Sequence, residues 1–122
     1  MKVLFDLGLT VDDIKNMLEI NPYIPNLDAE LIDILKENGC SNTHIKNILM
    51  ANPLYLNRSK TDILKLIDKL KDLGITHLET TFDTNPWLLN KDVFEIDEFI
   101  EGQIKLGLTM DEIVDMIDSE MF

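Results

Sequence analysis

Cys40 and His44 stand four residues apart, a spacing that would set a thiol and an imidazole on one helix face, where zinc or a thiol nucleophile could use them. A protein zinc site takes three or four ligands, and the second histidine, His77, lies far along the chain with no further cysteine to join it. The plainer reading is a buried cysteine next to a surface histidine. Carboxylates also recur at helical spacing, Asp97 with Glu101 and Asp111 with Asp115, within KDVFEIDEFIEG and TMDEIVDMIDSE. Such pairs could hold a cation or move protons, yet neither calcium-loop spacing nor a histidine base accompanies them. A solvated face accounts for them. So does a docking surface for a basic partner, made of Asp97, Glu98, Glu101, Asp111, Glu112 and Asp115. The third set is basic: Lys46, Arg58, Lys60, Lys65, Lys69 and Lys71 outnumber Asp62 and Asp68 within residues 44–71. These could contact phosphates or form an ordinary mixed-charge surface. No catalytic residue, metal ligand or cofactor is assigned.

The elements that must position these residues announce themselves by repetition. NPYIPN, NPLYLN and NPWLLN occupy residues 21–26, 52–57 and 85–90. A second series, Gly8, Gly39, Gly74 and Gly107, is spaced by 31, 35 and 33 residues, and an apolar residue and a hydroxyl follow each glycine. Glycine just past a helix end and Ser or Thr two residues later mark one helix stopping and another starting. Capping boxes are expected at Thr10/Asp13, Thr76/Glu79 and Thr109/Glu112, with His44 in the corresponding place after Ser41. Apolar residues then recur at helical spacing, as in Ile14, Met17, Leu18 and Ile45, Ile48, Leu49, until Asn-Pro ends the helix.

The residues after Pro22, Pro53 and Pro86 are mostly large and apolar, which predicts a 3₁₀ corner whose side chains plug the core. Tyr23, Tyr55 and Trp87 are read as core or cap in preference to base-stacking platforms. Asn26, Asn57 and Asn90 are expected to cap or introduce longer leading helices over about 27–38, 59–73 and 91–106. The first of these should be about one turn shorter than the others. Residues 2–7 form a stub of an earlier leading helix. The prediction is all-α: one domain, 1–122, a short right- or left-handed solenoid of about 3.5 helix–turn–helix repeats of 31–35 residues.

Hydrophobic residues at 45% and charged residues at 28% of 122 are a globular balance. The longest apolar run, residues 48–51, is too short to span a bilayer, and the start lacks signal-peptide features. The lone Cys40 excludes an internal disulfide and points to the cytoplasm. Of the formal charge of −12, residues 91–122 carry −8, whereas residues 44–71 carry +4. Such a total opposes general affinity for phosphate backbones but leaves a local basic surface open.

The order of glycine, apolar residue, hydroxyl, amphipathic helix and proline corner resembles the repeat of the mitochondrial transcription termination factor (mTERF) family. LGLTVDDIKNMLEINPYI, NGCSNTHIKNILMANPLYL, LGITHLETTFDTNPWLL and LGLTMDEIVDMI carry the resemblance over nearly the whole chain. It implies stacked units of two α-helices and a short 3₁₀ helix, curved into a half-ring. It also implies nucleic-acid binding along a basic concave surface in organellar gene expression. The residues themselves favour a non-enzymatic protein-interaction module with an acidic C-terminal face. The alternative is a nucleic-acid binder using the strip at 44–71. Val3, Leu4, Phe5, Met116, Ile117, Met121 and Phe122 could leave apolar ends for a partner or a homo-oligomer, or fold back on their neighbours.

Overall fold

Gly39 and Gly74 adopt φ of 95° and 90°, left-handed values that strain any residue with a side chain. Gly8 and Gly107 repeat the conformation. At each, two backbone bonds close the helix end in the Schellman pattern: Gly39 N–H donates to Lys36 and Cys40 N–H to Leu35, as Gly74 does to Lys71 and Ile75 to Leu70. The computed structural model describes residues 2–119, and these glycines divide them into helical pairs.

The described residues contain eight α-helices and no strand. A stub, α1 (Lys2–Asp6), is followed by the trailing helix α2 (Val11–Ile20). Then come leading and trailing partners in alternation: α3 (Ala29–Glu37), α4 (Asn42–Ala51), α5 (Lys60–Asp72), α6 (Leu78–Thr84), α7 (Val93–Lys105) and α8 (Met110–Asp118). Three 3₁₀ corners, Ile24–Asn26, Pro53–Asn57 and Pro86–Asn90, join each trailing helix to the next leading one. The leading helix α3 has 9 residues against 13 in α5 and α7, the expected deficit of one turn. Leading helices α3, α5 and α7 pack side by side in one layer, and α2, α4 and α6 in the other. Between the layers lie Leu31, Ile32, Leu66 and Ile67 against Ile45, Ile48, Leu49 and Phe82, all buried.

Reciprocal capping boxes form at Thr10/Asp13, Ser41/His44 and Thr109/Glu112. In the second, His44 Nδ1 stands in for a carboxylate and accepts from Ser41 N–H at 3.2 Å. The box expected at Thr76/Glu79 is absent: α6 starts one residue later, from His77, with no side-chain cap. Gly74 and Asn85 are two residues closer together than their counterparts, and the deletion is absorbed at the N-terminal end of α6, so the corner keeps its register.

That register is set by asparagine. Asn21 and Asn52, each preceding a corner proline, are fully buried. Asn21 Nδ2 donates to the Pro53 carbonyl at 2.9 Å, and Asn52 Nδ2 to the Pro86 carbonyl at 2.9 Å. Each trailing helix is thereby fastened to the next corner. Asn90 returns an amide bond to Asn52 Oδ1 at 2.9 Å while accepting one at 3.1 Å. Of the two roles expected for Asn26, Asn57 and Asn90, they introduce the leading helices and do not cap them: the caps are Asp28, Ser59 and Asp92. Pro22 is exposed and precedes its 3₁₀ turn, whereas Pro53 is buried within the second corner.

The corners plug the core only in part. Ile24, Tyr55, Leu56, Leu88 and Leu89 are buried, and the Tyr55 hydroxyl donates to the Leu31 carbonyl at 2.5 Å. Tyr23, Leu54 and Trp87, the first residue after each proline, face solvent, which corrects the reading of Tyr23 and Trp87 as core. A proline-initiated 3₁₀ turn points its successive side chains about 120° apart, so they cannot all enter the core.

Asn85 is the next amide of the series, buried but with Nδ2 unpartnered. Asn52→Ala should lower the unfolding free energy by about 2–4 kcal/mol in urea denaturation, because two inter-unit partners lose their donor or acceptor. Asn85→Ala should cost less than half of that.

Candidate functional site

The Cys40 thiol is buried against the core, whereas the His44 imidazole is held at the exposed cap of α4, so the pair has separate structural tasks. Burial pushes the thiol from its ordinary 9.0 up to about 11, reinforced by the carboxylates of Glu79 and Asp83. A nucleophilic cysteine needs the opposite shift. Among the described residues no three His, Cys, Asp or Glu side chains converge as a metal site.

The six cations are distributed over both layers and a corner. Lys60, Lys65, Lys69 and Lys71 lie on α5, and two of them reach neighbouring leading helices. Lys60 pairs with Glu30 of α3, which raises its pKa, and Lys69 meets Asp97 of α7 at 2.7 Å. Arg58 follows the second corner and donates through Nη2 to the Lys91 carbonyl at 3.0 Å. Its Nε is buried without a partner. Lys46 is half-buried on α4 in the other layer, near the Asp13 carboxylate. Lys65 and Lys71 remain exposed on α5.

The acidic set divides similarly. Asp97 belongs to the ion pair with Lys69, and Glu112 closes the cap of α8. Glu98 and Glu101 of α7 and Asp111 and Asp115 of α8 are exposed on the two helices of the last hairpin. Val3 and Leu4 fold onto the core while Phe5 is exposed; at the other end Ile117 is buried and Met116 half-buried. Met121 and Phe122 lie outside the described residues.

Two surface features escaped the sequence reading. An open recess of about 390 Å³ lies between α3 and α5, lined by Glu30, Asp33, Glu37, Ile34, Lys60 and Leu64. A shallow hollow of about 60 Å³ lies between α2, α4 and the second corner, lined by Asp13, Asn16, Met17, Ile20, Met50 and Pro53. The only sequence signal for the second was Ile20 and Met50 standing outside the apolar stripe of their helices. Among the described residues no helix is long and apolar enough to cross a membrane.

The glycine and proline series thus build the same hairpin and corner repeatedly, and the family model described as mTERF matches residues 1–119. The chain belongs to the mTERF family. Searches of curated proteins and of solved structures gave no match. Membership accounts for the all-α repeat and for the recurrence of glycine and proline as structural elements. In this mTERF chain two ion pairs, Lys60–Glu30 and Lys69–Asp97, run between units.

The raised thiol pKa makes stability fall at alkaline pH. The unfolded cysteine loses its proton near 9.0 and the folded one near 11, so stabilisation is complete below pH 9 and is lost between pH 9 and 11. Chemical denaturation across that range should show a decline on the order of 2 kcal/mol that Cys40→Ala largely removes. Iodoacetamide should label the folded thiol far more slowly than the urea-unfolded one.

Proposed function

We propose that this mTERF-family chain is a non-enzymatic binding module that grips another protein, with its acidic C-terminal hairpin contributing to the grip. One observation carries the reading: Arg58, Lys60 and Lys69 are engaged in contacts between units, while Glu98, Glu101, Asp111 and Asp115 stand exposed. Exposed carboxylates of one sign steer a basic partner and reject acidic ones. The chemistry-bearing residues support the non-enzymatic part, since Cys40 is held as a thiol and His44 is occupied as a cap. A reducing compartment such as the cytosol suits the buried lone thiol.

Membership of the mTERF family favours a second reading, nucleic-acid binding in gene expression. Lys65 and Lys71, exposed on α5, would then supply phosphate contacts. Capture from a lysate with and without nuclease separates the two. Specific protein partners should survive nuclease and weaken at least tenfold with Glu98→Lys and Glu101→Lys together; loss of every partner on nuclease treatment overturns the protein reading. For the second reading, affinity for a DNA or RNA duplex should fall steeply with salt and drop on Lys65→Glu with Lys71→Glu.

A further inference from the structure

Ile34 and Leu64 stand five residues before Gly39 and ten before Gly74, the places that Lys69 and Asp97 hold before Gly74 and Gly107. Between α5 and α7 those places carry an ion pair of 2.7 Å. Between α3 and α5 they carry two hydrocarbons, and the open recess of about 390 Å³ lies there. Ile34 is buried as its floor, while Leu64 stays 41% exposed. Helical spacing sets the rim: Glu30, Asp33 and Glu37 follow one another at i, i+3 and i+7, on the face of α3 that Ile34 shares. The corresponding places on α5 hold Lys65, Asp68 and Asp72, so a lysine breaks the acidic row there. Three carboxylates thus line the recess against one cation, Lys60. Lys60 is bonded to Glu30, and the charges of Asp28 and Glu37 act on it besides. Among the described residues Asp33 and Glu37 form no ion pair, and both are exposed. Acidic rim and apolar floor belong to the same cavity.

We infer that this recess takes an arginine side chain from a basic segment of a partner protein. The inference rests on the protein-binding reading above and gives it a contact outside the last hairpin. Two carboxylates about one helical turn apart, Asp33 and Glu37, suit a planar guanidinium, whose several N–H donors reach both. The arginine stem is aliphatic and covers Leu64 and Ile34. An ammonium, a compact and strongly hydrated point charge, gains less from the same pair. Phosphate is repelled by this rim. The volume falls in the range of ligand clefts, about 300–1,000 Å³.

The full chain is titrated with a fluorescein-labelled peptide of alternating arginine and serine, and with the same peptide carrying lysine for arginine, each read by anisotropy. The arginine peptide should bind saturably, and the lysine peptide about threefold more weakly. Asp33→Asn with Glu37→Gln should weaken the arginine peptide at least tenfold with unchanged circular dichroism. Asp12→Asn with Glu19→Gln, which removes the same charge from exposed places on α2, should change binding less than twofold. Leu64→Ser should weaken the arginine peptide about threefold, a loss that charge alone does not produce. No binding of the arginine peptide, equal binding of both peptides, indifference to Leu64→Ser, or equal loss in the two charge-removing pairs overturns the proposal. Nuclease-resistant capture from a lysate that Asp33→Asn with Glu37→Gln leaves intact rejects the recess as the contact and leaves the protein-binding reading standing.

Discussion

A carboxamide removed from water must find a partner inside the protein, and Asn21 and Asn52 find theirs in the next repeat. The Asn-Pro pair therefore acts at three levels. Proline forbids the helix from continuing. The asparagine backbone N–H still completes that helix, donating to Met17, Ile48 and Thr81 in turn. The side chain of the first two then reaches forward to a proline carbonyl about one repeat further on. A carbonyl has two acceptor lone pairs, so the Pro53 and Pro86 carbonyls, at the start of their 3₁₀ turns, can take a donor from the neighbouring unit as well. The link ties successive corners together in register.

Much of that was legible in the sequence, and for identifiable reasons. Glycine at a left-handed helix end and proline at a helix stop act through their own backbones, so Gly8, Gly39, Gly74 and Gly107 carry their conformation with them. The three reciprocal boxes that form are local for the same reason, His44 included. Thr76 broke the pattern because the short third repeat had to keep Asn85 at its corner, a requirement set by packing. Asn-Pro ended the trailing helices as expected, but the side-chain partners of the asparagines were not legible: Asn90 bonds Asn52, 38 residues away in sequence, which no local rule reveals. The corner aromatics divided by position, Tyr55 inward and Tyr23 and Trp87 outward, because a 3₁₀ turn distributes side chains over three directions.

Charge was legible in amount but not in use. The lysines of α5 look like a strip when read along the chain, yet Lys60 and Lys69 bridge to α3 and α7. A stacked repeat presents successive leading helices to one another, so charges on their flanks meet the next unit before they meet a ligand. Glu98, Glu101, Asp111 and Asp115 of the last hairpin remain exposed to solvent.

The reciprocal amide pair of Asn52 and Asn90 offers the most direct test of the central link. A double-mutant cycle with alanine at both positions, read by urea unfolding, isolates their coupling from effects on either repeat alone. The account predicts a coupling of about 1 kcal/mol or more. Additivity to within about 0.3 kcal/mol would show that the corners stack without it and would contradict the account.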